Sequence, residues 1–338
     1  MKSYDFGQFL FNSSFLDENQ LAEIIVAAKK KKATLATKAL FLRMASLPEL
    51  SESLKNLKET TADMPADDVV EYLRSHDAEV QGKYDSVIEN VLKKGQPARL
   101  KRLKESSSIW LIQELIDSGK VSIDDLERLF DEYHKLEMSP VDTAFAARYD
   151  SLPSEQQLDY PLAVEVVKTF YEFASESLGS TIILLPATDN AEEKLYGATV
   201  KVKGNTPIIT GLFANEEVFT KFAKSYNHLA ENLDDAYDVV SEFFNIYAGH
   251  LTIQMVATLG TEEEPETPRY GETEDNFTGI KMLSDWGEFY FYVGKEEYFK
   301  QELNKQPDDI TMLGDLSQFG LADFDDDFDE KFKDPFDF

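Results

Sequence analysis

The sequence predicts an α+β domain, with helices laid on an antiparallel sheet, over residues 158–300. An all-α region with two helical repeats precedes it over 1–150, and an acidic, Phe-rich tail follows over 301–338. Three observations lead there. Apolar residues recur at helical spacing through the first half of the chain. A 105-residue offset sets Leu10 against Leu115, Phe11 against Ile116, Leu16 against Val121, Leu21 against Leu126 and Ile24 against Leu129. Beyond residue 180 the runs become β-branched and are punctuated by glycine and proline.

Taken in order, repeat 1 covers about 6–50 and reads as three helices, FGQFLFNSSF, ENQLAEIIVAAKKKK and TLATKALFLRMASLPEL. Asp17 is placed to cap the second of them. Residues 67–94 read as two helices broken near Gly82, with turns at Pro65 and Pro97. Repeat 2 covers about 109–150, and the two copies pack either as one helical domain or as a pseudo-symmetric pair. SLPSEQQLDYP from Ser151 reads as a linker. Pro161 then opens a helix that Gly179 stops. STIILLPA, EKLYGATVKVKG and PIITGLFA read as strands, EEVFTKFAKSYNHL as a helix, and FTGIKMLS and GEFYFYVG as closing strands. In the tail Phe324, Phe328, Phe332 and Phe336 recur every fourth residue among carboxylates. That segment is either a disordered solubilising tail or a helix formed on a partner's groove.

Composition removes several function classes. Without cysteine the chain has no disulfide, no thiolate-bound metal and no thiol nucleophile. The four histidines, His76, His134, His228 and His250, show no metal-site spacing. No phosphate-binding glycine loop or serine-nucleophile motif is present. With 34 basic against 64 acidic residues, the net charge of −30 disfavours nucleic acid and anionic lipid as partners. The basic runs at Lys29–Lys32 and from Lys93 read as solvated helix faces or linkers. No apolar run is long enough to span a bilayer and the N-terminus has no signal-peptide pattern, so the expected compartment is the cytoplasm.

One stretch carries chemistry. In DVVSEFFNIYAGH, from Asp238, Val240, Phe243, Phe244, Tyr247 and Leu251 form one helical stripe, while Asp238, Glu242, Asn245 and Gly249 form another. Acidic residues at such spacing commonly do no more than solvate an amphipathic helix. Asparagine in mid-helix is less expected, because its side chain competes for local backbone groups. Twenty-two residues separate Asn245 from Pro268. The pattern Asp-x3-Glu-x2-Asn-x22-Pro resembles the active-site motif of the CheC/CheX/FliY phosphatase family. The single site and the element order from about Leu158 to Gly294 are most similar to CheX. The chain departs from the family pattern at His250 and in its acidic segment TEEEPETPRYGETEDN. The helix from Pro161 lacks a second Glu-x2-Asn, so a two-site arrangement is not expected.

The resemblance implies hydrolysis of the aspartyl phosphate on a CheY-like receiver domain. Such a phosphatase needs no cofactor of its own, since the receiver partner supplies Mg. An amide can orient the attacking water, and Asn245 is assigned that role. The resemblance implies that Glu242 docks against a receiver lysine. Asp238 then supports docking, and Pro268 shapes the neighbouring loop. It also implies a possible homodimer through the sheet, while the partner of the N-terminal repeats stays unnamed. Two alternatives remain open at this point. One is a non-catalytic receiver-binding adaptor or scaffold in a chemotaxis, motility or signalling assembly. The other is an enzyme for a small phosphorylated metabolite, which the absence of an evident cationic phosphate cradle disfavours.

Overall fold

Side-chain acceptors start most of the helices. In the computed structural model the described residues are 5–303 without 61–68, 104, 154–156, 187–189, 192–193, 206, 261–262, 274–276, 297–298 and 300–302. The Phe-rich tail and the turn expected at Pro65 lie outside them. The first half holds α1 (Phe6–Asn12), α2 (Glu18–Ala28), α3 (Leu35–Phe41), α4 (Leu47–Thr60), α5 (Val69–Arg74), α6 (Ala78–Val91), α7 (Gln96–Arg102), α8 (Ser107–Ser118), α9 (Ile123–His134) and α10 (Pro140–Tyr149). Asp17 caps α2 by accepting from Gln20 N–H, and the Gln20 side-chain oxygen accepts in return from Asp17 N–H.

Two expectations about helix breaks are corrected. Residues 34–50 form two helices rather than one, because the chain turns after α3 with Arg43 at φ 53°. Between α5 and α6 the break falls at 75–77, and Gly82 lies inside α6. There Asp77 accepts from the N–H groups of Glu79 and Val80, so a new helix starts at the acceptor rather than at the glycine.

The second half comprises α11 (Tyr160–Leu178), β1 (Ile183–Leu184), β2 (Asn190–Ala191), β3 (Tyr196–Gly204), β4 (Ile208–Ala214), α12 (Glu216–Tyr226), α13 (Leu233–Leu259), β5 (Glu263–Pro265), β6 (Arg269–Glu272), β7 (Phe277–Thr278), β8 (Ile280–Ser284) and β9 (Gly287–Lys295). The main sheet is antiparallel in the order β1-β8-β9-β4-β3-β5, and β6 also pairs with β3. Strand alternation sorts the side chains of β4 and β9 into two cores. Ile208, Leu212, Phe289 and Phe291 face α11, α12 and α13. Ile209, Phe213 and Tyr292 face the other way, onto Phe277, Phe299 and Leu303. Phe170 of α11 stacks on Phe291 with centroids 4.0 Å apart, fixing that helix to the sheet.

The helical half is seated on the β1 edge. Gln8 accepts from Leu184 N–H at 2.7 Å and donates to Leu184 O at 3.3 Å, standing in for a neighbouring strand. Arg148, 4% exposed, donates to Leu184 O and Ala144 O, each at 2.6 Å, and to Leu185 O. Burial pushes its guanidinium down to about 10, still cationic at neutral pH. Ile183, Leu185 and Leu283 of the sheet belong to the core of the helical half. The Lys29–Lys32 run, expected to be solvated, is partly ion-paired. Lys29 bonds Asp285 at 2.5 Å and Ser225 at 3.3 Å across the seam, and Lys31 bonds Asp117 at 2.8 Å.

Candidate functional site

Asp238, Glu242 and Asn245 stand on α13, whose 27 residues are closed at the start by a capping box. Asn232 accepts from Asp235 N–H at 3.0 Å, and the Asp235 carboxylate accepts in return from Asn232 N–H at 3.3 Å. Asp234 and Asp235 also lie in the first turn, where the helix dipole favours negative charge.

One side of α13 is fully committed to the core. Val240, Phe243, Phe244, Tyr247, Ala248, Leu251 and Met255 have no measurable exposure. Phe243 meets Phe222 of α12 and Phe173 of α11, with ring centroids 5.0 Å apart in each pair. The Tyr247 hydroxyl donates to Val166 O at 3.1 Å, tying α13 to α11. Each buried aromatic contributes roughly 1.5–3 kcal/mol, so the rotation of α13 about its axis is strongly set.

That rotation turns Asp238, Glu242 and Asn245 outward, and all three are exposed. Asn245 follows Glu242 by three positions, so their backbones sit about 4.5 Å apart along the axis, and that of Asp238 lies about 10 Å from that of Asn245. Burial, then the nearby Asp235 and Asp234, raise the Asp238 pKa above the ordinary value. Tyr226, at the end of α12, lies beside the stripe. Its phenol is pushed up to about 12 by burial and then by the charge of Glu242. His250 packs on Phe173 with centroids 5.0 Å apart, and burial lowers its pKa.

Pro268 is buried on a different element, in the segment 266–268 that joins β5 to β6 along β3. Two residues later Tyr270 stacks on Tyr237, centroids 4.6 Å apart, and so braces the turn of α13 that carries Asp238. The structure thus gathers three of the four candidates on one helix face and leaves Pro268 apart from them, in the strand connection two residues before Tyr270.

Three further residues share that face. A Cβ placed on Gly249 meets nothing within 4 Å, so the chain's own packing does not require a glycine there. Its cost to the helix is about 1 kcal/mol relative to alanine. Ile253 and Val256 are 62% and 51% exposed. Gly249 was visible in the sequence stripe, whereas Ile253 and Val256 needed the same period to be followed two turns further.

Asp238, Glu242 and Asn245 are exposed and do not line the cavity of about 270 Å³ between residues 136–142 and α11. Among the described residues no group of three His, Asp or Glu side chains is arranged to hold a metal ion. Among the described residues no helix is long and apolar enough to cross a membrane.

No protein-family model and no curated protein sequence matches the chain. Solved CheX, CheC-like and FliY structures are similar to about 40% of it. A CheX chemotaxis protein from Desulfovibrio desulfuricans aligns over 40% of this chain and 99% of its own, at 15% identity and a TM-score of 0.32. FliY from Thermotoga maritima aligns over 44% and 92%, at 12% identity and a TM-score of 0.32. A CheX–CheY–BeF3–Mg complex from Borrelia burgdorferi aligns over 40% and 94%, at 12% identity and a TM-score of 0.26.

Proposed function

We propose that this chain is a phosphatase for the aspartyl phosphate of a CheY-like receiver domain. The observation that carries the reading is the stripe itself. An Asp-x3-Glu-x2-Asn motif, matching the CheC/CheX/FliY pattern, faces solvent on a helix whose opposite side is locked in the core. Side chains exposed on a helix face suit an enzyme that inserts them into a partner's site rather than enclosing a small substrate. This argues against a metabolite phosphatase.

An aspartyl phosphate is already an activated acyl phosphate. Water attacks phosphorus in line, the bond from phosphorus to the carboxyl oxygen breaks, and the receiver carboxylate is released with inorganic phosphate. The water's proton ends on the phosphate. Asn245 contributes its amide, accepting from the water and holding it on the attack line. Glu242 pairs with a receiver lysine, and desolvation of that pair at the interface sets the register of the helix. Asp238 extends the acidic docking surface, and Mg arrives with the receiver.

The helical half is proposed to carry two copies of one unit and to bind a separate partner. What supports the repeat is the shared offset. α2 and α9 begin at residues 18 and 123, α3 and α10 at 35 and 140, each pair 105 apart. Their caps, Asp17 with Ser122 and Thr34 with Ser139, keep that offset, and each accepts from a backbone N–H. A homodimer through the sheet would use the β5 and β6 edge, because Gln8 and Arg148 occupy β1.

The test is the lifetime of a phosphorylated receiver with wild type, Asn245→Ala and Glu242→Ala. Wild type should shorten it, and Asn245→Ala should remove the acceleration by about 100-fold or more while binding survives. A receiver that binds and keeps its intrinsic lifetime would replace the phosphatase reading with the adaptor.

A further inference from the structure

Two features of α13 have no explanation in the protein's own packing: the glycine with open space around it, and the exposed apolar pair beyond it. Both continue the line of the candidate site. Val256 follows Asp238 by 18 residues, which is five turns, and Gly249 and Ile253 lie on the intervening turns of the same side. Asp238 to Val256 measures about 27 Å along the axis, the width of a small domain.

Charge restricts what can sit there. No Lys or Arg occurs between Lys224 and Arg269, while nine Asp and Glu residues do. Nucleic acid and anionic lipid are repelled by such a surface, whereas a protein face with a lysine beside apolar side chains complements both ends of it.

We propose that the ridge from Asp238 to Val256 is one docking surface for a receiver domain, with the partner's backbone coming nearest at Gly249 and its apolar side chains covering Ile253 and Val256. The proposal takes its partner from the phosphatase reading and adds how that partner is held. Asn245 lies between an acidic half and an apolar half, so contacts on both sides fix where its amide enters the receiver. Gly249 is a clearance position: any side chain there would hold the partner off by at least a methyl group.

The test uses the full chain with Gly249→Ala, Gly249→Met and the pair Ile253→Ser/Val256→Ser. CheY-like receivers from the same organism, loaded with BeF3 and Mg, serve as probes, with affinity, melting temperature and hydrolysis measured separately. Gly249→Ala should raise the melting temperature by about 2 °C, since alanine is the better helix former and its Cβ has room. The same substitution should weaken receiver affinity about tenfold, and Gly249→Met about 100-fold, because the added atoms fall inside the contact. The serine pair should weaken affinity about tenfold, because the apolar half of the ridge loses its contacts.

A glycine of purely structural importance would give the opposite pattern, loss of stability with affinity intact. If all three variants bind as wild type does, or if wild type binds none of the receivers, the docking surface is overturned. Hydrolysis decides the other reading. Variants that lose affinity for a receiver the wild type never dephosphorylates leave the docking surface standing and remove the phosphatase. Asn245-dependent hydrolysis with unchanged affinity in the ridge variants does the reverse.

Discussion

Replacing Arg148 by methionine removes the cation that holds the helical half on the sheet while keeping most of its aliphatic volume. The guanidinium serves three carbonyls, none of them backed by a carboxylate. Leu184 O would keep its bond from Gln8, and Ala144 O its place in the α10 ladder, so Leu185 O is the acceptor left dry. An unsatisfied buried carbonyl costs about 1–3 kcal/mol, and weakening the two other charge-assisted bonds adds a comparable amount. Releasing a desolvated cation returns part of this, giving a net loss of about 2–4 kcal/mol. Urea unfolding measures it, and at a slope of about 2–3 kcal/mol/M the midpoint should fall by roughly 1 M. Trp110 of α8 and Trp286 of the β8–β9 turn report the two halves when each is kept as the single tryptophan. A loss under about 1 kcal/mol would show that Gln8 and the apolar seam hold the edge without the guanidinium, refuting the hydrogen-bond argument.

Two further outcomes are open to the same measurements. Tyr247→Phe deletes the buried hydroxyl that reaches Val166 O and should cost about 1 kcal/mol, read as a shift in urea midpoint with unchanged slope. Burial lowers His250 below its ordinary value of 6.5, so the unfolded chain binds the proton more tightly than the folded one. Its contribution to stability is therefore complete above 6.5 and is lost as pH falls from there toward the lowered folded value. His134 is shifted in the same direction by burial. Stability measured between about pH 5 and 7 should fall on the acid side, and His250→Gln should flatten that fall in part. An unchanged slope would mean that the ring is as accessible to protons folded as unfolded.

What could be read from residues follows the reach of each signal. α13 was legible because Val240, Phe243, Phe244, Tyr247 and Leu251 keep the 3.6 period over many turns and leave one polar stripe. Pro161 and Gly179 bounded α11 correctly, since each acts through its own backbone geometry. β3 and β4 announced themselves by β-branched runs. β1 falls within STIILLPA, and β7 and β8 within FTGIKMLS, both read as strands, whereas the two-residue β2 is too short to show a period and exists through its pairing with β7. β5 and β6 hid inside an acidic segment because they are edge strands, where charge is tolerated on an exposed face. The break at Asp77 was misplaced to Gly82, the more conspicuous residue. The seam was not legible at all: nothing local in Gln8, Lys29 or Arg148 says that Leu184, Asp285 and Leu185 will be their partners.

A chain cut at residue 158 would not release a ready-made module. Ile183, Leu185 and Leu283 would pass from a dry interior into water, and β1 would present an unpaired edge to any strand that met it. The fused helices therefore act as a permanent escort for that edge, and the α/β half cannot be transplanted without some other cover. Insertions or fusions should be tolerated far from Gln8 and Arg148 and rejected near them, whatever they do to the face that carries Asn245.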